Sequence, residues 1–318
     1  MKHFFRIALL AALALSFVAC NRSTNKRIAI IPQGKAHTFW QTVHAGAISV
    51  QRETPGYEIL WTAPANEMDY EGEIQLVDTM INQHVDAICV SPIDRKVLVA
   101  VIDKAVAAGI PVFIFDSPID TDKFTAQIAT DNYAGGAMGA ARLGQLLGGK
   151  GTMVLVATQP GAASTLAREK GFEEKLAKDF PGIKIVDKQF GMADFAKSLK
   201  VAENMLTAHP TVTGMFASNE TSSVGASRAL KTGTGIKLVG FDSSPQLLEA
   251  VKTGVVDSLI VQDPFQIGRK TFQAAVAKLT GGAPERIQNI PATLVTRENI
   301  DSPDIQKIVN PDIKKYLN

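Results

Sequence analysis

"IPQGKAHTFWQTVHAGA", Ile31–Ala47, carries the chain from an apolar run into a helix. The run Ile28–Ile31 has strand character, Pro32 breaks it, a polar loop follows, and an alanine-rich helical stretch begins near Phe39. Strand, loop and helix in that order make one βα unit. Two adjacent aromatics, Phe39 and Trp40, stand where the loop becomes the helix.

The same order repeats along the chain. Strands are expected near Arg27–Ile31, Glu58–Thr62, Ala87–Val90, Val112–Phe115, Ala126–Ala129, Thr152–Val156, Lys184–Gln189, Gly214–Ala217, Lys237–Gly240 and Ser258–Val261. Helical patterns lie between them, near Phe39–Glu53, Tyr70–Gln83, Lys96–Ala108, Ala134–Leu147, Ser164–Asp179, Phe195–Ala208, Ser222–Leu230, Pro245–Thr253 and Phe265–Leu279. Such alternation predicts βαβ units and parallel sheets, and strands apolar throughout are those covered by helices on both faces. The pattern comes twice, over Ile28–Ala129 and Thr152–Val261, and the two runs meet around "ATDNYAGG", Ala129–Gly136, without a low-complexity linker. The expected fold is α/β, with two doubly wound parallel-sheet lobes joined by a multi-strand hinge. Residues 27–129 plus 264–292 are assigned to the first lobe and 130–263 plus 293–318 to the second, so the chain crosses between lobes more than once.

Residues 1–19 stand apart from that pattern. Lys2, His3 and Arg6 form a basic start, Ile7–Ala19 is a short apolar stretch, and Cys20 follows a small residue. This reads as a secretory signal, too short to sit comfortably as a membrane span. "FVAC", Phe17–Cys20, resembles a lipobox, which makes Cys20 the expected lipidation site and first mature residue, and a lipid anchor the only expected membrane attachment. Loss of the signal takes Lys2 and Arg6 and no acid, so 33 basic and 31 acidic residues become 31 of each. A balanced chain lacks the broad positive field that holds a phosphate backbone, which argues against nucleic acid. Cys89, the one cysteine left, lies in the apolar run "DAICVSP" and reads as a small buried hydrophobe.

In open parallel sheets the loops at the carboxyl ends of strands converge on ligands. Those positions hold His37, Phe39 and Trp40 after the first strand, Asp116 after "PVFIF", Asn219 after "GMFAS", Asp242 after "KLVGF" and Gln262 after "SLIV". Each also has a plainer reading: Asp and Asn cap helices and shape turns, and aromatics at a helix start pack into cores. In combination, carboxylates, an amide and a glutamine beside aromatic rings are the set that holds a sugar, the polar groups taking hydroxyls and the rings covering C–H faces.

With these residues in place, the mature chain resembles the type I periplasmic sugar-binding proteins, the ribose-binding family that serves ABC importers, over nearly its full length. "HTFW" (His37–Trp40), "FDSP" (Phe115–Pro118), "AREKGF" (Ala167–Phe172), "ADF" (Ala193–Phe195), "SNE" (Ser218–Glu220), "GFDS" (Gly240–Ser243) and "VQDP" (Val261–Pro264) carry the resemblance in order. It implies that Phe39, Trp40 and Phe195 sandwich a sugar ring and that Asp116, Arg168, Asn219, Asp242 and Gln262 bond its hydroxyls. Arg168 enters through the resemblance alone, since in "TLAREKGFEEKL" it also reads as one charge on a solvated helix face.

Two positions depart from the family pattern. Ser117 stands where ribose binders carry a second arginine, and His37 where they carry an asparagine. Exchange of a five-donor fork for a small hydroxyl reshapes the pocket, so a hexose, cyclic polyol or sugar alcohol becomes as reasonable a ligand as ribose. Gln33 and Lys35 lie near enough in sequence to reach it. No helix zinc spacing, "GxSxG" or Walker loop occurs, and the glycine clusters "GGKG" and "GTG" precede strands instead of following them. The expectation is therefore a non-enzymatic, monomeric receptor without cofactor or metal, whose partners are a small sugar or polyol and the membrane subunits of an ABC importer. A receptor for a furanose-derived signalling molecule, a chemotactic sugar sensor, a sugar-responsive repressor and a glycosidase are the alternatives. The repressor needs a DNA-binding module where the signal stands, and the glycosidase needs an activated water that nothing suggests.

Overall fold

The computed structural model describes residues 25–35, 37–230 and 234–317. The lipidation site expected at Cys20 and the signal expected over residues 1–19 lie outside them. Strands β1 (Lys26–Ile31), β2 (Tyr57–Trp61), β3 (Ala87–Val90), β4 (Val112–Phe115), β5 (Ala126–Thr130) and β11 (Ile287–Ile290) form one sheet, in the order β11-β5-β4-β3-β1-β2. A second sheet contains β6 (Lys150–Ala157), β7 (Gly182–Phe190), β8 (Gly214–Ala217), β9 (Lys237–Phe241), β10 (Ser258–Val261) and β12 (Thr293–Thr296), in the order β12-β10-β9-β8-β6-β7. The two orders are equivalent strand for strand. They differ at the edge, where β11 runs parallel to β5 and β12 antiparallel to β10. These are the two parallel-sheet lobes the sequence predicts. The short edge strands β11 and β12 escaped the sequence reading because "IQNI" and "TLVT" are too short and mixed to stand out.

Successive strand residues feed opposite layers, because side chains alternate across a pleat. In β1, Ile28 and Ile30 enter one core with Phe113, Phe115 and Phe272, while Ala29 and Ile31 enter another with Val77, Leu98 and Ile102. In β6, Met153 and Leu155 pack with Phe172 and Phe216, while Val154 and Val156 pack with Met205 and Leu247. Cys89 in β3 is fully buried, as its setting suggests.

Helices α1 (Thr38–Glu53), α2 (Tyr70–Asn82), α3 (Val99–Ala107) and α9 (Pro264–Leu279) cover the first sheet; α4 (Asn132–Leu146), α5 (Ala163–Asp179), α6 (Phe195–Ala208), α7 (Glu220–Ala229) and α8 (Pro245–Thr253) cover the second. Helix α3 starts later than its apolar pattern implies, because Asp94 Oδ1 accepts the backbone N–H groups of Lys96 and Val97 and holds them in a turn. After β12 come α10 (Pro303–Val309), whose Ile305 joins the second lobe's core, and α11 (Lys314–Leu317), which lies against α1.

The chain passes between lobes after β5, after β10 and between β11 and β12. At the first two crossings a helix begins at once, capped by Asp131 on the N–H of Ala134 and by Asp263 on the N–H of Gln266. The crossings are also bonded to one another: Asp131 N–H donates to Ile290 O at 3.0 Å, and Thr130 Oγ1 to Gln262 Oε1 at 2.6 Å. Three short segments tied side by side form the hinge.

Candidate functional site

Asp116 and Asp242 each follow a central strand, β4 and β9, and each takes a left-handed backbone, with φ of 61° and 70°. Aspartate tolerates that region better than most residues. In both lobes the amide of the turned residue donates to the next strand, Asp116 to Ile128 O at 2.9 Å and Asp242 to Ile260 O at 2.8 Å. The strand end is thereby anchored while its carboxylate swings into the cleft. Strained backbone at two equivalent positions marks a site held in shape by its surroundings.

Both carboxylates line one cavity between the lobes, together with Gln33, His37, Phe39, Trp40, Arg168, Asn219 and Gln262. Of the residues read from sequence, Phe195 and Ser117 stand apart. The Phe195 ring meets His37 edge-on at 5.4 Å between centroids, supporting the wall from behind. Ser117 is fully buried, and its Oγ accepts the N–H of Ser164 across the cleft at 3.4 Å. Lys35 is exposed. The cavity is about 40 Å³, room for a few waters, so a larger ligand enters only when the lobes part. A wider groove of about 760 Å³ on the hinge side meets it at Phe39, Asp242 and Gln262, but the convergent polar groups belong to the small one.

Arg168 reaches the site from α5. That helix comes close to α4 at Gly136, where a β-carbon would strike the Arg168 carbonyl. The buried guanidinium donates from Nε to Asn132 Oδ1 at 2.8 Å and from Nη1 to Ser218 O at 3.0 Å, lies 3.7 Å from Asp242 Oδ2, and stacks 3.9 Å over the Phe241 ring. Asp242 is otherwise filled: Oδ1 accepts from Gln262 Nε2 at 2.7 Å and Oδ2 from the Glu220 amide at 3.0 Å. Asn219 serves both readings at once. Its Oδ1 caps α7 through the Ser222 N–H at 2.9 Å, while the residue lines the cavity.

Trp40 likewise combines core and wall. It is 3% exposed, packs edge-on against Phe39 and Phe115, and donates its indole N–H to Glu67 Oε1 at 2.7 Å. Glu67, which the sequence reading passed over, also takes His37 Nδ1 at 2.9 Å. Burial alone would lower the His37 pKa, but Glu67, with Glu220 and Asp242 farther off, raises it to about 9. Burial raises that of Glu67, yet His37, the Trp40 N–H and Arg168 outweigh it and hold the carboxyl below its usual value. Glu220, at the first position of α7, and Gln159, in the loop after β6, also line the cavity without having been expected there; Glu220 directly follows Asn219 in "SNE", so its place at a strand end was visible in the sequence. The Glu220 carboxylate receives the backbone N–H of Phe39, so a second-lobe acid serves the start of α1, which has no side-chain cap of its own. Burial, opposed by His37 and reinforced by Asp242 and Glu67, raises its pKa to about 7. Asp116 is pushed to about 7 as well, by burial first, against the pull of Arg168 and with Asp242 and Glu67 adding to it.

Direct bonds close the cleft. Gln159 Nε2 donates to Glu67 O at 3.1 Å and Arg95 N–H to Gly161 O at 3.1 Å. Two lobes of equivalent topology, hinged on three segments and closed over a shared polar cavity, are the architecture of a ligand clamp, and the periplasmic binding protein domain matches residues 28–283. The chain belongs to that family. The ribose import binding protein of Bacillus subtilis is 30% identical over 70% of this periplasmic binding protein and 72% of its own length. The D-ribose/D-allose-binding protein of Pseudomonas aeruginosa is 29% identical over 89% and 93%. Among solved structures, an ABC transporter solute-binding protein from Agrobacterium vitis with bound D-fucose is 30% identical, with a TM-score of 0.86 over 89% of this chain and 99% of that one. The family consists of substrate-binding receptors, not enzymes.

Proposed function

We propose that this periplasmic binding protein is exported, captures a monosaccharide or polyol between its lobes and delivers it to an ABC importer. The observation that carries the reading is that Asp116 from the first sheet and Asp242 and Arg168 from the second line one cavity walled by Phe39 and Trp40. Carboxylates and a guanidinium are the groups that take vicinal hydroxyls in pairs, and rings cover the C–H face. Hydrogen bonds to charged groups contribute about 1.5–3 kcal/mol each, so a handful reaches the roughly −8 kcal/mol of micromolar binding.

Closure follows from the same arrangement. A ligand that touches both lobes favours the closed state by its difference in affinity between the two states. Relatives that carry sugars in their names or crystals, ribose, allose and fucose among them, support this ligand class. The basic and apolar start before Cys20 supports export with a lipid anchor at that cysteine, so the protein works outside the cytoplasm. No described helix is long and apolar enough to cross a membrane. A thermal-shift screen against pentoses, hexoses, inositols and alditols, followed by calorimetry, tests the reading. A saturable stabilisation by one class, lost in Asp242→Ala, is expected; no response across the panel overturns it.

A further inference from the structure

The cavity is lined by four carboxyl groups, those of Glu67, Asp116, Glu220 and Asp242, against two cationic side chains, Arg168 and His37. Position accounts for three of the acids: Glu67 holds His37 and Trp40, Asp242 faces Arg168, and Asp116 accepts from Ser91 at 3.3 Å. Glu220 is met on one side only, by the Phe39 N–H. It is 5% exposed, and its Oε2 has no hydrogen-bond partner; the same holds for Oε1 of Gln159, which is 1% exposed. Both residues line the cavity. Two unpaired acceptors and a surplus of acid in one enclosed space call for a group that only donates and carries positive charge. A single sugar hydroxyl donates one hydrogen, so it fills one of these acceptors and leaves the other acceptor and the excess charge unanswered. Among the described residues no group of three or more acids, histidines or cysteines is placed to hold a metal ion.

We infer that the ligand carries a protonated amine, so that the substrate class is an amino sugar or amino polyol, with Glu220 and Gln159 receiving its ammonium. The inference rests on the sugar-binding reading above and narrows it. An ammonium offers three donors and no acceptor, which matches the two open oxygens, and its charge offsets the excess of acid. The charged and titratable groups around Glu220 are His37, Asp242 and Glu67, with Arg168 and Asp116 across the cavity. Glu220 and Asp116 lose their protons near pH 7, so preference for an amine grows from pH 6 to pH 8.

Titration calorimetry with 6-amino-6-deoxy-D-glucose, 6-amino-6-deoxy-D-galactose and 1-amino-1-deoxy-D-sorbitol, whose primary amines stay largely protonated up to pH 8, beside D-glucose, D-galactose and D-sorbitol tests this. At least one amine is expected to bind tenfold or more tightly than its neutral parent at pH 8, since one hydrogen bond to a charged group is worth about that factor. The advantage shrinks at pH 6, and Glu220→Gln and Gln159→Leu each reduce the ratio of amine to parent affinity. The pH series on the unaltered protein keeps the test alive if a variant misfolds. Neutral parents that bind as well as their amines in every pair that binds overturn the amine inference and leave sugar binding standing; no binding by any of the six, together with no response in the thermal-shift panel, overturns both.

Discussion

Gln262 holds Asp242 Oδ1 with its amide N–H at 2.7 Å while its own carbonyl accepts from Thr130 Oγ1 at 2.6 Å. One side chain thus joins two hinge crossings to a carboxylate of the cavity. Gln262→Leu keeps most of the volume but leaves the buried Thr130 hydroxyl and Asp242 oxygen without those partners. The expected cost is about 1–3 kcal/mol of stability, the usual penalty for stranding buried polar groups. Urea titration should show the midpoint falling, and calorimetry should show weaker ligand binding, since Asp242 is no longer fixed. An unchanged midpoint would mean the hinge draws nothing from this relay.

The acids of the cavity give the ligand-free protein a pH dependence whose sign is fixed. Asp116 and Glu220 sit at about 7 when folded against roughly 4 when unfolded. Between those values the folded state binds more protons, so stability is full at the acid end and declines as pH rises through about 7. His37, raised to about 9, acts in the same direction: its contribution is complete below roughly 6.5 and lost as pH rises through its folded value. The melting temperature without ligand should therefore drop from pH 5 to pH 8. Asp116→Asn removes one contributor, flattens the curve and melts higher than the wild type at pH 8, by about 2–4 °C for each kcal/mol recovered, while binding ligand more weakly. A wild-type curve that is level over this range would contradict the burial of these carboxyls.

The fold was legible because the strands are apolar throughout and the helices between them are long, so type and order could be read without contacts. Strand-end logic alone found His37, Asp116, Asn219, Asp242 and Gln262, since each follows the last residues of a strand. It could not find Glu67, which lies in the loop after β2 and matters only because the fold brings His37 and Trp40 onto it. Nor could it place Phe195, whose preceding residues Met192 and Ala193 turn through positive φ values of 55° and 51° and set the ring behind His37. A turn of that kind leaves no mark in a sequence without glycine at those positions.

Whether Trp40 is core or wall turns out to be a false choice, and mutation separates the parts. Trp40→Ala empties volume among Phe39, Phe115 and their neighbours and should cost about 3–5 kcal/mol, so melting temperature and affinity fall together. Trp40→Phe retains a ring but removes the indole N–H from Glu67. It should cost about 1–2 kcal/mol and loosen the His37–Glu67 pair, seen by NMR as a His37 that titrates lower than in the wild type. The same His37 titration in wild type and Trp40→Phe would show that Glu67 needs no help from the indole.

Gly136 tests whether Arg168 acts through position. Its α-carbon lies so near the Arg168 carbonyl that Gly136→Ala must push α4 and α5 apart, an overpacking change of about 1–3 kcal/mol. Gly144→Ala, farther along α4, collides instead with the Phe180 ring and should destabilise in a similar way. The two differ in what moves. Only the change at Gly136 displaces the backbone that sets Arg168 between Asn132, Ser218 and Asp242, so only it should weaken ligand binding beyond the loss of stability. Calorimetry at a temperature where both variants remain folded makes the comparison; equal affinities would show that Arg168 keeps its place when the helices separate.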